Sequence, residues 1–467
     1  MPVDMEVAVG LFPGQGGYRA GCLDLLRAEP ESREVLELID EIALEMFGRR
    51  LLDSVSGAGA GSAEELFETD PEMMQVAIFA ASVAVFEALR ARGARLSVLI
   101  GHSLGEIAAL VCAGALTISE GTRILCHRVA VLREHDTSGG TMLALACERA
   151  RAEQVLSLLP ASAAAIAGEN GPAQVTVSGT TEALRRVELI AGAIGVPATA
   201  LRARHPFHNV LLQTARRELL TRIGGHRSHG LRVPVFSPIL GRYYREHDDL
   251  GELLADHLVT PVEFRQSIDR AYEAGARIWV EVGAGRALTN LVRSAHPNAT
   301  VFTPLGGREP TIADTAAFLC AGRGPRPDTA QSDTAAQPAA GSVNGAIVEP
   351  VNGFTEPIPR PVVEPVSEQA SQEPAAAEAL SRSEIEQRIR VLYATALEYP
   401  QEVFEPAAEL EADLGVDSVK QTELMSRLGE TFALGPPPES LRINDYRTFG
   451  NVVDFVCESL PAGSAAR

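Results

Sequence analysis

The sequence has 467 residues, more than one hydrophobic core holds, so its length predicts two to four domains. A hydrophobic share of 46% with 22% charged residues is typical of a soluble globular protein. The formal net charge of −20 argues against nucleic acid or an anionic membrane as a partner, because their phosphates would repel the chain. We expect no membrane-spanning helix, since the apolar runs look shorter than the roughly 20 residues that a bilayer requires.

The first ten residues, MPVDMEVAVG, carry acidic side chains where a secretory signal would carry Lys or Arg, so we expect a cytoplasmic protein. The cysteines are far apart and form no CxxC pair. This spacing predicts buried thiols in a reducing compartment, and neither a disulfide framework nor a metal site. The cysteines are Cys22, Cys112, Cys126, Cys147, Cys320 and Cys457.

Strands and helices alternate in the first two thirds of the chain. The segments MEVAVGLFPG, LSVLIGHSLG and ARIWVEVGAG each read as an apolar strand that runs into a glycine turn, and MMQVAIFAASVAVFEALRARG has the apolar spacing of a buried helix. This order predicts a parallel sheet with helices on both faces. Residues 141–203 show the order strand, helix, two strands, helix, strand, which predicts a ferredoxin-like subdomain inserted into the larger α/β unit.

A change of composition separates a second domain from the first. Residues 322–380 are rich in Pro, Ala, Ser, Gln and Glu and nearly free of aromatic residues. Such a segment buries too little apolar surface to offset its ordering entropy, so we predict a flexible, disordered linker. Residues 381–462 then show three helical patterns, which predict a small helical bundle. The first has Ser383 as its N-cap, and the second begins near Asp417.

The strongest motif is GHSLG at residues 101–105, which lies directly between an apolar strand and a helical pattern. This is the context that a GxSxG nucleophile elbow requires. The two glycines permit a sharp turn, and the turn presents Ser103 at a helix N-terminus, where backbone dipoles favour developing negative charge. We predict that Ser103 is a catalytic nucleophile. The alternative is a glycine-rich strand-to-helix turn without a catalytic role.

With its flanking residues, this motif resembles the active-site elbow of the malonyl-CoA:acyl-carrier-protein transacylase family, which includes the acyltransferase domains of polyketide and fatty acid synthases. Further landmarks of the family follow in the same order, over about residues 5–310. They are FPGQG at 12–16, Gln75 in QVAIF, Arg128, Asn170 with VSG at 177–179, HPFH at 205–208 and EVG at 281–283. The resemblance implies an acyltransferase domain over residues 1–321 with an α/β-hydrolase-like fold.

The resemblance also implies the parts of a Ser–His dyad. His208, the last residue of HPFH, would be the base that takes the Ser103 proton, since histidine is the usual base near neutral pH. A backbone carbonyl rather than an acidic residue would orient its ring. The main-chain N–H groups of Gln15 and Leu104 would form the oxyanion hole. His102, beside the nucleophile, would pack or hydrogen-bond and not act as the base.

Arg128 lies where the family binds the free carboxylate of the malonyl group. A guanidinium pairs with a carboxylate through two hydrogen bonds, and a buried unpaired arginine is costly, so the resemblance implies dicarboxylic acyl groups. Arg123 and Arg133 are close enough in the sequence to be alternatives. The substrate-binding residues that the resemblance implies are Arg128, Gln75, His102, His205, Phe207 and Asn170.

The acyl pocket departs from the family pattern at one position, because HPFH replaces HAFH. The HxFH pattern and the leucine after Ser103 favour malonyl over methylmalonyl. Pro206 restricts the backbone of the residue before it and so can reshape the pocket, which leaves substituted malonyl groups open. His205 either shapes this pocket or has a purely structural role.

The sequence LGVDS at residues 414–418 resembles the attachment motif of acyl carrier proteins. The resemblance implies that a phosphopantetheinyl transferase attaches 4′-phosphopantetheine to Ser418, at the start of a helix. The acidic run before the motif and the fused enzyme favour this interpretation. The alternative is an Asp–Ser pair that only caps a helix.

These residues predict a ping-pong acyltransferase. Malonyl-CoA or a related acyl-CoA would acylate Ser103, and the phosphopantetheine thiol of this carrier or of another would accept the acyl group. No ketosynthase motif is visible, so we expect a separate ketosynthase partner. Two alternatives remain, a hydrolase or thioesterase with the same elbow and a catalytically silent scaffold that only presents the carrier. The extender unit, the pathway, loading in cis or in trans and the oligomeric state stay open.

Overall fold

The computed structural model describes residues 7–55, 62–160, 163–306, 311–321, 380–397, 404–406, 408–410, 416, 418–432, 446–459 and 465–466. The linker that we predict over residues 322–380 lies outside the described residues except at its last position. The LGVDS motif is described only at Val416 and Ser418.

The described strands, in chain order, are β1 (Val7–Phe12), β2 (Val98–Gly101), β3 (Gly140–Leu145), β4 (Ala164–Gly171), β5 (Gln174–Thr180), β6 (Ala198–Ala200), β7 (Val235–Ser237), β8 (Arg242–Tyr243), β9 (Val262–Glu263), β10 (Ala276–Glu281), β11 (Thr300–Phe302), β12 (Leu380–Ser381) and β13 (Ala465–Ala466). The three strands expected from apolar runs into glycine turns correspond to β1, β2 and β10.

The described α-helices are α1 (Cys22–Arg27), α2 (Pro30–Phe47), α3 (Leu51–Val55), α4 (Ala63–Thr69), α5 (Pro71–Ala91), α6 (Gly105–Ala113), α7 (Ile118–His135), α8 (Arg149–Leu156), α9 (Thr181–Ala193), α10 (Gln213–Ile223), α11 (Leu250–Asp256), α12 (Phe264–Glu273), α13 (Ala287–Ala295), α14 (Ile312–Ala321), α15 (Arg382–Leu397), α16 (Ser418–Thr431) and α17 (Phe449–Ser459). Two 3-10 turns cover Gln15–Gly17 and Val210–Leu212.

The central sheet has the strand order β11-β10-β1-β2-β7-β8. Its strands pair in parallel through β7, as the alternating pattern predicts, and β8 adds an antiparallel edge. β1 is apolar at nearly every position because helices cover both faces of the sheet. Phe12 is in register with Gly101, so β1 and β2 end at the same edge of the sheet. The turns that follow these two strands therefore lie side by side.

The smaller sheet has the order β6-β3-β5-β4-β9. Its first four strands, with α8 and α9, follow the predicted ferredoxin-like order and enclose their own hydrophobic core. The fifth strand, β9, comes from outside the predicted subdomain and pairs in parallel with β4. Two residues are too few to show an alternating pattern, so the sequence did not reveal this strand.

The helix α5 corrects our expectation that the apolar runs are too short to span a membrane. It has 21 residues and is long and apolar enough to cross a bilayer by length and composition. In the fold, 89% of its most apolar 18-residue stretch is buried. The helix lies in the main hydrophobic core with α2, α6 and α7, which explains its composition without a membrane.

The C-terminal helices α15, α16 and α17 share a separate hydrophobic core that includes Tyr393, Phe404 and Phe449. The N-cap predicted at Ser383 is wrong. The Ser381 hydroxyl accepts from the Glu384 N–H at 3.3 Å, and the Glu384 carboxylate accepts from the Ser381 N–H at 2.8 Å. Both serines are followed by a glutamate three residues later, so the capping pattern fits either position and the sequence does not distinguish them.

Among the described residues the cysteines form no disulfide bond, and they are not all buried. Cys320 and Cys457 are only partly buried, which corrects the expectation of six buried thiols. Each lies on a terminal helix, α14 or α17, at a position that faces the core only in part. Among the described residues, no group of three or more His, Cys, Asp or Glu side chains could hold a metal ion.

Candidate active site

The GHSLG turn connects the end of β2 to the start of α6 and places Ser103 in the left-handed region, with φ of 54°. Neither glycine of the motif has a positive φ. They are required because a Cβ atom on Gly101 would collide with the backbone of Glu106, and one on Gly105 would collide with the carbonyl of Phe12. The glycines therefore provide close approach of the backbone, whereas the conformational strain falls on Ser103.

Ser103 contacts the predicted base. The distance from Ser103 Oγ to His208 Nε2 is 2.9 Å, and His208 Nδ1 lies 2.9 Å from the carbonyl oxygen of Thr260. Because a carbonyl only accepts hydrogen bonds, the ring proton is on Nδ1 and Nε2 is free to accept the Ser103 proton. The orienting group is thus a backbone carbonyl, as the resemblance implies.

The electrostatic surroundings keep His208 neutral. Burial is the main cause that lowers its pKa to about 3, followed by the nearby His102. The hydrogen bond to the Thr260 carbonyl opposes this shift, and Arg128 and His257 lower the pKa further. Near neutral pH the ring therefore carries one proton and can accept a second.

Gln15 and Leu104 lie in the two turns at the common edge of β1 and β2. Gln15 begins the 3-10 turn after β1, and Leu104 is the residue before the first turn of α6. A Cβ atom on Gly14 would lie 2.7 Å from the carbonyl oxygen of His102, so the two turns are in close contact. The Gln15 side chain donates to the carbonyl of Arg202 at 3.2 Å, whereas the main chain of Gln15 lies in the turn beside the elbow. The structure brings together the two backbones that the resemblance singled out.

Arg128 is buried and 3% exposed. Its Nη1 donates to Gln75 Oε1 at 2.7 Å, and its guanidinium carbon lies 5.0 Å from the centre of the Phe207 ring. Burial lowers the pKa of Arg128 to about 10, so the group stays charged near neutral pH. The part of the chain that the structure describes gives Arg128 no carboxylate partner within ion-pair distance. A charged, buried guanidinium with only a neutral partner has the chemistry of a carboxylate receptor.

The two alternative arginines have different surroundings. Arg123 is 42% exposed and pairs with Glu45, and Arg133 is 54% exposed and pairs with Glu72. Both are already neutralised at the surface, so neither has the environment of Arg128.

His102 and Asn170 contact each other rather than the dyad. His102 Nε2 lies 2.8 Å from Asn170 Oδ1, and the imidazole meets the Phe264 ring edge-on at 5.2 Å. Burial lowers the pKa of His102, which favours its neutral form. His102 thus packs and hydrogen-bonds beside the nucleophile, and Asn170 fixes its orientation.

His205 pairs with an acid that the sequence did not single out. Its Nδ1 lies 2.6 Å from Asp136 Oδ2, just beyond the helix that carries Arg128. With Gln15 and Gln75, His205 lines a cavity of about 430 Å³ whose wall also includes Arg133. Three of the predicted residues therefore line this cavity, whereas Ser103, His208 and Arg128 are not part of its wall.

Several residues of the site were missed by sequence reasoning. Thr260 acts through its main chain, which no side-chain pattern reveals. Asp136 follows the Arg128 helix directly, but its contact with His205 arises only through the fold. Glu106 follows the elbow directly, within the GHSLGE segment, but its burial could not be inferred from the sequence.

Ser418 is the first residue of α16. The neighbouring Val416 is buried in the C-terminal core, and Gln421 donates to the carbonyl of Tyr446 at 2.7 Å. Arg447 forms an ion pair with the N-terminal region, since its Nη2 lies 2.9 Å from Glu64 Oε2.

Two family models match separate parts of the chain. Residues 9–318 match the model of the acyl transferase domain family, and residues 387–456 match the phosphopantetheine attachment site. The second match indicates a covalently attached 4′-phosphopantetheine.

Relatives include malonyl CoA-acyl carrier protein transacylase from Bacillus subtilis (strain 168), which is 29% identical over 61% of this chain and 89% of its own length. Polyketide synthase GfsA from Streptomyces halstedii is 30% identical over 60% of this chain, but that alignment spans only 4% of the synthase. The crystal structure of malonyl-CoA:acyl carrier protein transacylase from Xanthomonas oryzae pv. oryzae is 27% identical with a TM-score of 0.60, over 68% of this chain and 98% of that one.

Proposed function

The chain belongs to the acyl transferase domain family, and from this premise we propose that it moves a malonyl-type acyl group from CoA, through an ester on Ser103, to the phosphopantetheine thiol of an acyl carrier domain. The observation that carries the proposal is the contact of Ser103 with a buried, neutral His208 that is oriented by Thr260. A hydroxyl in that contact can attack a thioester carbonyl while the imidazole takes its proton.

The first half-reaction balances within these groups. Ser103 Oγ forms a bond to the thioester carbon as its proton passes to His208 Nε2. When the tetrahedral intermediate collapses, the C–S bond breaks and His208 returns the proton to the departing CoA sulfur. Thr260 accepts from Nδ1–H throughout and stabilises the imidazolium that forms between the two steps.

The main-chain N–H groups of Gln15 and Leu104 would hold the oxyanion. Their position in the two adjacent turns at the common edge of β1 and β2 supports this role. Leu104 also lies at the N-terminus of α6, where the helix dipole favours negative charge. Their side chains would not take part, which agrees with the engagement of the Gln15 amide by Arg202.

Arg128 would bind the distal carboxylate of the acyl group. Its side chain is desolvated already, and Gln75 holds one of its donors, which leaves the others for a planar two-point contact. Phe207 covers the guanidinium and fixes its plane. An acetyl group would leave the buried charge without a partner. Malonyl groups are therefore favoured, and His205, held by Asp136, would bound the pocket.

Ser418 would hold the cofactor, since a hydroxyl at the start of α16 can form the phosphodiester and its domain matches the attachment-site family. When bound, 4′-phosphopantetheine supplies a thiol on a long flexible arm that accepts the acyl group. In that half-reaction His208 would again act as base, and the amides of Gln15 and Leu104 would again hold the oxyanion. A phosphopantetheinyl transferase and a separate ketosynthase are the further partners that this role requires.

The domain arrangement of the proposal is an acyltransferase over 1–321, a linker over 322–380 and a helical-bundle carrier over 381–462. A tether of that length would keep the carrier at a high local concentration near Ser103. The Arg447–Glu64 ion pair supports loading of the chain's own carrier. Relatives occur both as separate transacylases and within polyketide synthases, so either pathway class fits.

Intact-mass measurement tests the nucleophile. The full chain with Ser418→Ala, incubated with malonyl-CoA, should gain one malonyl mass, and adding Ser103→Ala should abolish it. Ser157→Ala, at an exposed position on α8's C-terminal end, is the matched control and should leave labelling unchanged. Labelling that persists in Ser103→Ala would refute the assignment. Release of free malonate faster than transfer to a carrier would instead favour the thioesterase alternative.

A further inference from the structure

Three buried polar side chains connect the helix that follows Ser103 to the turn that holds His208. Glu106, Tyr244 and His257 are each less than a twentieth exposed. The Tyr244 hydroxyl lies 2.8 Å from Glu106 Oε2 and 3.1 Å from His257 Nε2, and the last two atoms are 3.4 Å apart. We call these residues the Glu–Tyr–His cluster. The proposed mechanism assigns none of them a role.

The protons of the cluster have a defined order. Burial, together with the negative charge of Glu106, raises the pKa of Tyr244 well above its ordinary value, so the phenol keeps its proton. That single proton is donated to the Glu106 carboxylate, and His257 Nε2–H then donates to the phenol oxygen. Among the described residues, Glu106 Oε1 has no hydrogen-bond partner, so Tyr244 is the main support of this carboxylate.

At one end, the cluster is continuous with the nucleophile. Glu106 lies in the first turn of α6, and its N–H donates to the carbonyl of Ser103 at 2.9 Å. The absence of a Cβ atom on Gly101 lets the Glu106 backbone press directly against the elbow. A shift of Glu106 would therefore move Ser103.

At the other end, the cluster is continuous with the turn that holds the base. His257 directly follows α11 and begins the turn over residues 257–260. In this turn the carbonyl of Thr260 accepts from His208 Nδ1, and the carbonyl of Leu258 accepts from the N–H of Asn209 at 3.3 Å. The turn thus holds both the side chain of His208 and the backbone just after it.

We propose that Glu106, Tyr244 and His257 are positioning residues that set the distance between Ser103 Oγ and His208 Nε2 by tying α6 to the 257–260 turn. This inference rests on the proposed roles of Ser103 and His208. A buried hydrogen-bond network restrains the elements that it joins, and breaking it leaves a further desolvated polar group without a partner. Loss of one hydrogen bond here would loosen the dyad without touching the acyl pocket.

The test compares Tyr244→Phe with Tyr243→Phe in the full chain bearing Ser418→Ala, so that the acyl group stays on Ser103. Tyr243 is the adjacent, 46% exposed tyrosine and serves as the matched control. Rapid-quench labelling with malonyl-CoA should show an acylation rate constant lowered about ten-fold or more in Tyr244→Phe, because small misplacements of reacting groups are costly. The malonyl-CoA concentration for half-maximal rate should change less than about two-fold, since Arg128 is untouched. Tyr243→Phe should match the parent in both values.

A second comparison separates positioning from general destabilisation. Glu106→Gln keeps the shape of the side chain and removes its charge, and combined with Tyr244→Phe it should cost no more than the larger single effect, because the cluster acts as one unit. The inference would be overturned by an unchanged acylation rate in Tyr244→Phe. It would also be overturned if the losses of rate multiplied in the double variant, or if the loss of rate only matched the fraction of unfolded protein. If Tyr244→Phe does not fold, Glu106→Gln is compared with the parent by the same criteria. Labelling of Ser103→Ala would refute the proposed function itself, which is a distinguishable outcome.

Discussion

Ser103 and His208 are the two non-glycine residues that the described chain holds at positive φ, 54° and 61°, and their side chains meet at 2.9 Å. A left-handed conformation costs about 1–3 kcal/mol at a residue with a side chain. His208 is buried and Ser103 is partly buried, and hydrogen bonds to neighbouring backbone hold both turns in place. The two residues with strained backbone are therefore the same two between which the proton moves in the proposed reaction.

The first prediction concerns the tight approach at the elbow. Gly105→Ala should destabilise the protein by about 1–3 kcal/mol and abolish labelling of Ser103, because the new methyl group would collide with the Phe12 carbonyl. Gly192→Ala on α9, where a Cβ atom meets nothing within 4 Å, is the matched control and should keep or slightly raise the melting temperature. Thermal unfolding of both variants is the measurement, and equal effects would contradict the elbow argument.

The second prediction concerns pH. Because the pKa of His208 is lowered to about 3, the base stays neutral well below the ordinary histidine value. The rate of Ser103 acylation should therefore be nearly flat between about pH 5 and 8. A fall centred near the ordinary value of about 6.5 would contradict this. Rates should be taken soon after each pH change, because the unfolded state binds more protons at His208 below about pH 6.5 and stability is lost as the pH falls.

The third prediction concerns substrate charge. Arg128→Gln should lower malonyl transfer about 10- to 100-fold, the effect of losing a charge-assisted contact, and change acetyl transfer by less than about three-fold. Arg123→Gln, on the same helix but exposed and paired with Glu45, is the control and should leave both rates unchanged. Acylation with the two CoA esters is measured side by side. Equal losses for both esters would show that Arg128 supports the fold rather than the carboxylate.

The fourth prediction concerns the cofactor. After treatment with a phosphopantetheinyl transferase and CoA, the full chain should gain one phosphopantetheine mass and then hold malonyl as a thioester. Ser418→Ala should prevent both, whereas Ser383→Ala, an exposed serine of α15, should prevent neither. Peptide mass spectrometry locates the modification. Attachment at another serine would show that the LGVDS motif only caps its helix.

The fifth prediction concerns the ion pair between the two parts of the chain. Glu64→Arg should slow loading of the chain's own carrier about two- to five-fold, because an exposed pair contributes at most about 1 kcal/mol. The double variant Glu64→Arg with Arg447→Glu should recover the loading rate. Added salt should reduce the difference in rate between the parent and Glu64→Arg, because exposed charges are screened. Single-turnover transfer at several dilutions provides the measurement. If the double variant does not recover the rate, this ion pair does not contribute to loading of the carrier.

Contiguous motifs carried most of what the sequence could predict. GHSLG identified the elbow because strand, turn and helix follow one another directly, and the ferredoxin-like order was visible for the same reason. Arg128 could be preferred to Arg123 only through a resemblance, since helical spacing does not show which side chain is buried. Thr260 could not be found at all, because its contribution is a carbonyl oxygen whose direction depends on the turn after α11.

The pairing of β9 with β4 has a mechanical consequence. Thr260 lies two residues before β9, so the support of the base is fastened to the small sheet, whereas Ser103 follows a strand of the central sheet. The two ends of the proton transfer are thus anchored on two different sheets. A shift of about 1 Å between the two sheets would lengthen a 2.9 Å contact beyond hydrogen-bonding range. On gentle heating, turnover should fail before either sheet melts.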